Sequence, residues 1–453
     1  MERKRIYLCL AHMSDEGWEQ KYIKEAFDTN WVVPLGPNVN GFENDLEEFV
    51  CHTDRTDLSD LSKRVVALSS GTAAVHLALI ACGVGPGDEV CVQSFTFCAS
   101  SHPITYLGAT SVFIDSERET WNMDPELLEK AIIDRKEKTG KYPKAIVPVA
   151  LYGMPYKIDQ IMAIADKYGI PVVEDAAEGF GSKFNGQVLG TFGKYGVLSF
   201  NGNKMITTSG GGALITENEE LWREVMMYAT QYRESYPYYQ HEKIGYNYRM
   251  SNICAGIGRG QMTIVDEHIE HHKHVQKLYE ELLKDVTGVT VHSQPHTENT
   301  ESTERVPVFD SNYWLCTITL DPEVKVKGQE NAYKQIVTGA VGGAAGVIHA
   351  ASSATTDCQP NDNVEALRVF LDQAQIEARP VWKPMHKQPV YEGRCKKEEV
   401  REGYRIITTD KSISYVNGVS EAIFKVGMCL PAGPYVTDED VKYIVDTIKG
   451  AIA

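Results

Sequence analysis

A series of short apolar runs, each closed by polar or small residues, constrains what this chain folds into more than any other feature. The runs occupy 65–69, 89–93, 111–115, 145–150, 171–175 and 197–200. They are short for helices and rich in Val and Ile, which fits strands. Stretches with helical rhythm separate them, among them 73–82 and 158–168. Because the hydrophobicity is continuous rather than alternating, these strands are covered on both faces, as in a mostly parallel sheet of an α/β protein. Ligands gather beyond the carboxyl ends of such strands. The residues just after each run are therefore the ones to inspect.

Two of these ends carry candidate chemistry. The run 171–175 closes on Glu174-Asp175-Ala176-Ala177-Glu178, and the run 197–200 is followed by Asn201-Gly202-Asn203-Lys204. A lysine at a strand end, in a pocket shared with an acid and a hydroxyl, is what a carbonyl cofactor needs to form an imine. Gly202 and Gly210-Gly211-Gly212 flank it, so the backbone can turn tightly and approach a ligand. Lys194 precedes the same strand and is expected at the opposite end of the sheet.

Each candidate has a plainer alternative. Lys204 alone reads as a solvated surface lysine; its company overturns that. Asp175 is either a solvated loop carboxylate or the acid that keeps a pyridine nitrogen protonated. Glu178 either lines the same pocket or belongs to the next turn. Ser70-Gly71-Thr72 lies between a strand and a helix. Backbone amides, close approach at Gly71 and the Thr72 hydroxyl make an anion site there, with simple helix capping as the alternative. Ser199 either holds the same phosphate or satisfies a strand end. Phe97 either stacks on a cofactor ring or fills core.

The formal net charge of -17 argues against nucleic acid or an anionic membrane as the main partner. A bound phosphate must then be held locally, by amides and a few placed groups. The apolar stretch 6–11 is too short for a signal sequence, and no run is long enough to span a bilayer. A cytoplasmic chain without membrane insertion is expected. The 10 cysteines form no CxxC pair, which points to neither a metal site nor a disulfide framework. A length of 453 residues suggests two packed units. We expect an N-terminal arm over 1–30, a large domain over 31–260 and a smaller C-terminal domain over 261–453. A long helix over 262–283 leads into the latter, and Thr437 caps its last helix. An insertion around 293–363 is expected from the small-residue stretches 339–346 and 350–356.

The motifs occur in one order: Ser70-Gly71-Thr72-Ala73-Ala74, Gly87-Asp88-Glu89-Val90 leading to Phe95-Thr96-Phe97, and Glu174-Asp175-Ala176-Ala177. Ser199-Phe200 to Lys204, Gly245-Tyr246-Asn247-Tyr248-Arg249-Met250 and Cys429-Leu430-Pro431 follow. In that order the chain resembles the sugar aminotransferases of fold-type I, the DegT/DnrJ/EryC1/StrS family of pyridoxal-phosphate enzymes. The likeness runs from about residue 34 to the C-terminus, apart from the expected insertion. It implies a mostly parallel seven-stranded sheet flanked by helices, with a smaller C-terminal α+β domain. It also implies that Lys204 forms an imine with pyridoxal 5'-phosphate and moves the proton between cofactor and substrate carbons. Asp175 would pair with the pyridine nitrogen, Phe97 stack on the ring, and Gly71, Thr72 and Ser199 hold the phosphate. Asn247 would reach the cofactor phosphate of a neighbouring subunit, making the site shared within a homodimer, and Arg249 would support that loop.

Asp175-Ala176-Ala177-Glu178 and Pro237-Tyr238-Tyr239-Gln240-His241 resemble members acting on UDP-4-keto-6-deoxy-hexosamines in bacillosamine and legionaminic acid pathways. Many other members carry Gln or His in place of Glu178. Glu178 and His386 are then expected on the substrate side, an ordinary loop histidine being the alternative for His386. The implied reaction moves the amino group of L-glutamate to the C4 ketone of a nucleotide-linked N-acetylated sugar. Amination of a C3-ketosugar or a cyclitol stays open, as does a non-catalytic regulator that binds pyridoxal phosphate.

Overall fold

The computed structural model describes residues 4–51, 63–295, 308–333, 358–393 and 395–452. Helix α1 (Trp18–Asp28) is followed by α2 (Pro37–Cys51), which turns Val39, Phe42, Leu46 and Val50 into the core. Their three- and four-residue spacing makes one apolar stripe. Strands and helices then alternate: β1 (Arg64–Leu68), α3 (Gly71–Ala81), β2 (Glu89–Gln93), α4 (His102–Tyr106) and β3 (Thr110–Ile114). The alternation continues through α5 (Pro125–Thr139), β4 (Ala145–Val147), α6 (Ile158–Tyr168) and β5 (Val173–Asp175). A short excursion, β6 (Lys183–Phe184) and β7 (Gln187–Val188), precedes β8 (Tyr195–Ser199), β9 (Gly212–Thr216) and α7 (Glu219–Ala229).

The expected seven strands form one sheet in the order β3-β2-β4-β5-β8-β9-β1. Parallel bridges between Ile146 and Val172 and between Val149 and Asp175 join its two halves. Strand β9 runs antiparallel to both neighbours, and the other pairs are parallel. The strand interiors are buried, as their unbroken apolar sequences require.

Helices α8 (Asn252–Met262) and α9 (Val265–Leu283) lead to a second layer. It contains β10 (Val289–Val291), β12 (Cys316–Leu320), α10 (Asp362–Gln373) and β13 (Arg379–Pro380), while β11 (Phe309–Asp310) returns to pair with β6. After α11 (Pro389–Glu392) come β14 (Lys397–Arg401), β15 (Tyr404–Thr408) and β16 (Ser412–Val416). The chain ends with α12 (Val419–Val426), β17 (Gly427–Leu430) and α13 (Asp438–Ala451). Thr437 caps α13 as expected, in a reciprocal capping box with Asp440.

Two expectations are corrected here. The region 293–363 is not an insertion throughout, because β12 lies inside it and pairs with both β10 and β17 in the small sheet. Cys316, Ile318 and Leu320 point into the small core beside Tyr279, Leu367 and Ile444. This alternation is strand-like, and the small residues downstream masked it. The stretches 339–346 and 350–356 lie outside the described residues. Nor does the span 261–453 close on itself. Strand β16 adds in parallel to β3, and β15 and β14 continue outward, so this segment widens the large sheet. Every residue of β16 is buried, whereas the new edge β14 is exposed and carries Lys397, Glu398, Glu399 and Arg401. Charge on an edge strand discourages further pairing. Among the described residues no helix is long and apolar enough to cross a membrane.

Candidate active site

A cavity of about 380 Å³ opens where β1, β2, β4, β5 and β8 present their carboxyl ends. Lys204, Asp175, Glu178, Ser199, Phe97, Gly71 and Thr72 all line it. After β8 the Lys204 amide donates to the Asn201 carbonyl at 3.0 Å. That turn returns the side chain over the sheet. The Lys204 Nζ lies 3.4 Å from Glu178 Oε1 and 3.9 Å from the centre of a Trp314 ring. Trp314 is itself anchored, its indole N–H donating to the Asn203 carbonyl at 2.6 Å.

Asp175 ends β5 and is only 4% exposed. Its Oδ2 accepts from the Ser100 hydroxyl at 2.6 Å and its Oδ1 from the Ala177 amide at 3.1 Å. Burial pushes this carboxyl above the usual range, while the Ser100 hydroxyl, the Ala177 amide and the Lys204 charge pull it down. Among the described residues no cation lies within hydrogen-bond distance of it. Burial likewise raises Glu178, opposed first by the Lys204 charge and then by the Tyr152 amide. That amide donates to Glu178 Oε2 at 2.8 Å.

At the start of α3 the Ser70 hydroxyl accepts from the Ala73 amide at 3.0 Å, which is ordinary capping. The amides of Gly71 and Thr72 and the hydroxyls of Thr72 and Ser199 are what remain for an anion. A Cβ on Gly71 would stand 3.0 Å from the Ser199 Cβ, and one on Gly212 would stand 2.4 Å from the Gly71 nitrogen. Glycines therefore let helix, strand and β9 converge in this cradle. Phe97 remains 50% exposed with its ring 5.5 Å from that of Trp382.

His386 does not reach this cavity, contrary to expectation. Its Nδ1 meets the Ser94 hydroxyl at 2.6 Å and its Nε2 meets Glu421 Oε1 at 3.1 Å. The imidazole is fully buried, with both nitrogens occupied. Glu421 is held down to about 2, first by His386 and further by Lys387 and Arg405. Asn247 is exposed, bridges Thr230 by backbone and is not among the residues lining its own chain's cavity. The Arg249 guanidinium donates to Glu43 and to the Ala67 carbonyl, bracing the segment as expected. Lys194 precedes β8, at the opposite end of that strand from Lys204.

Sequence reasoning missed Ser100, Trp314, Trp382 and Tyr152. Ser100 follows the β2 end, so the rule of inspecting post-strand residues would have found it. The tryptophans come from the second layer and carry no local signal. A larger cavity, about 680 Å³, lies between α2, α8 and α9. Within it Arg259 pairs with Asp45 at 3.3 Å and Lys273 with Asp310 at 2.9 Å.

The model of the DegT/DnrJ/EryC1/StrS aminotransferase family matches residues 14–338 and 329–449. EpsN of Bacillus subtilis (strain 168), to which pyridoxal phosphate-dependent aminotransferase activity is ascribed, is 38% identical over 452 residues, spanning 98% of this chain and 95% of its own. GDP-perosamine synthase of Escherichia coli O157:H7 is 31% identical over 445 residues, covering 98% of each chain. Among solved structures, a DegT DnrJ EryC1 StrS aminotransferase from Brucella abortus superposes with a TM-score of 0.74 at 25% identity. It covers 96% of this chain and 95% of its own.

Proposed function

The chain belongs to the DegT/DnrJ/EryC1/StrS aminotransferase family, pyridoxal-phosphate enzymes acting on nucleotide sugars, and on that premise we propose that it aminates the C4 ketone of a UDP-linked 4-keto-6-deoxy-N-acetylhexosamine with L-glutamate as donor. The observation that carries the reading is Lys204, held over the strand ends between Glu178 and Trp314 in the cavity floored by Asp175.

The residues fit the cofactor. Asp175 is a buried carboxylate with no cation in hydrogen-bond distance among the described residues, a place a protonated pyridine nitrogen would fill. The glycine-lined cradle at Gly71, Thr72 and Ser199 suits a phosphate. Bound pyridoxal phosphate supplies an aldehyde that takes up an amino group and a ring that withdraws the electron pair left when a neighbouring carbon loses its proton.

The chain's own residues do the rest. Asp175 keeps a proton on the ring nitrogen. Lys204 Nζ would take the proton from the amine-bearing carbon of glutamate and pass it to the cofactor's aldehyde carbon, then in the second half take one from there and deliver it to the sugar carbon. Glu178 and the Trp314 ring face that amine at 3.4 Å and 3.9 Å and fix where it sits above the strand ends. Phe97, Trp314 and Trp382 keep water from the reacting atoms. Asn247, exposed and outside its own cavity, serves the phosphate of a second copy in a cytoplasmic homodimer. The finer choice of sugar rests on Glu178 after Asp175-Ala176-Ala177 and on Pro237-Tyr238-Tyr239-Gln240-His241.

Purified protein with added pyridoxal phosphate should show a visible band that borohydride fixes and that Lys204→Ala removes. Glutamate should bleach the band and release 2-oxoglutarate, whereas a mere binder would not turn over. A panel of UDP-, dTDP- and GDP-linked 4-keto sugars then tests the acceptor. Amination of GDP or dTDP substrates alone, or an amine found at C3 of the product by NMR, would overturn the finer assignment. Absence of the band in the wild type would overturn the whole.

A further inference from the structure

We propose that Tyr152 is a positioning residue, whose backbone seats the acid facing Lys204 and whose hydroxyl seats the second-layer tryptophan beside Phe97. The proposal rests on the aminotransferase reading of the cavity and goes beyond it, because Tyr152 lies outside the cavity lining. It is 4% exposed and acts through other residues.

Tyr152 follows β4 in the turn Leu151–Gly153 with φ 55 and ψ 19, in the left-handed region. An aromatic residue adopts that conformation only when its surroundings hold it there, and such residues gather at functional sites. Here the conformation aims the amide at Glu178 Oε2, 2.8 Å away, while Oε1 of the same carboxylate faces Lys204 at 3.4 Å. Turned to the right-handed region, the amide would leave Glu178 with the lysine as its sole charged or polar side-chain partner among the described residues.

The other end of Tyr152 reaches the second layer. Its hydroxyl accepts from the Trp382 amide at 2.7 Å, and the two rings stack at 6.1 Å and 27°. The hydroxyl also lies against the Cys429 thiol of β17. The next residue extends the link. The Gly153 carbonyl accepts from the Ser182 hydroxyl at 2.7 Å, and that hydroxyl accepts from the Asn312 amide at 2.9 Å. Asn312 in turn donates to the Glu178 carbonyl at 3.0 Å and accepts from the Trp314 amide at 2.9 Å. A Cβ at position 153 would lie 1.8 Å from the Asn312 side-chain oxygen. One turn thus touches the supports of Glu178, Trp382 and Trp314.

Two arms of one experiment test the two ends. Tyr152→Phe keeps ring and backbone and removes the hydroxyl, the acceptor of the Trp382 amide and the neighbour of the Cys429 thiol. Without cofactor, the tryptophan near-ultraviolet circular dichroism assigned to Trp382, taken as wild type minus Trp382→Phe, should fall by about half or more. With cofactor, KM for the nucleotide sugar should rise about tenfold, the effect of one buried hydrogen bond, while the glutamate half-reaction and the visible band stay unchanged. Tyr152→Asn and Tyr152→Val both delete the ring, but Asn tolerates the left-handed backbone and a β-branched residue does not. The Val variant should run the glutamate half-reaction about tenfold slower than the Asn variant.

A Phe variant with wild-type dichroism and wild-type KM would refute the Trp382 arm. Equal loss in both half-reactions together with a lowered Tm would reduce Tyr152 to a structural residue. Equal rates for folded Asn and Val variants would refute the Glu178 arm. If wild-type protein forms no visible band while the dichroism behaves as stated, the aminotransferase reading falls and the seating of Trp382 stands.

Discussion

The two walls of the cavity are built differently. The wall from the large sheet carries the polar and titratable side chains to which we assign the chemistry, Asp175, Glu178, Ser199 and Lys204, each within a few residues of a strand end. The wall from the second layer carries two tryptophans and, among the described residues, no titrating group. Chemistry is placed by covalent proximity to rigid strands, whereas enclosure is placed by packing between layers. A change in the first wall should abolish the reaction, and a change in the second should tune it.

The sharpest test is Lys204→Ala, which should lower turnover by about a thousandfold or more and erase the borohydride-fixable band. Asp175→Asn comes next. Loss of the charge that we propose to face the ring nitrogen should cost about a hundredfold in the glutamate half-reaction, read by stopped-flow bleaching. Trp314→Leu removes the ring over the Lys204 amine, and about tenfold slower proton transfer is expected, with binding of added cofactor kept. A Trp314 variant as damaged as Lys204→Ala would erase the distinction between the walls.

His386→Ala probes the boundary between them. Breaking the buried Ser94–His386–Glu421 chain should lower stability by about 1–3 kcal/mol in denaturant titration while KM for the sugar stays unchanged. A raised KM without lost stability would return His386 to the substrate side. The pH profile sharpens the point. Glu421 sits at about 2, below its ordinary 4.5, so its contribution is present above pH 4.5 and fades as pH falls toward 2. That acid limb should flatten in His386→Ala.

Glu174 should affect turnover least, and its pH dependence has the opposite sign. Burial raises it to about 7, against the Gly190, Phe192 and Gly193 amides. The folded chain therefore holds that proton more tightly than the unfolded chain. Its contribution is complete below pH 4.5 and is lost as pH rises through 7. Glu174→Gln should flatten stability over that window, with little change in turnover.

Much of the large-sheet wall was legible because a strand and the polar residues after it are neighbours in sequence. Asp175 and Lys204 each follow an unbroken apolar run, and the open end of a parallel sheet is where those runs stop. His386 was misplaced for the reverse reason. Nothing near Lys383-Pro384-Met385-His386 shows that Ser94 and Glu421 hold both ring nitrogens. The same holds for β16, whose Ser-Ile-Ser-Tyr-Val pattern reads as a strand but does not name β3 as its partner.

By itself the sequence determined the sheet, its ligand end and the identity of the amine and acids there, because periodicity and post-strand position are local properties. Only the tertiary structure decided what faces them. Trp314, Trp382 and the left-handed Tyr152 reach the site through contacts between distant segments, and local sequence carries no record of which distant surface a side chain will bury against.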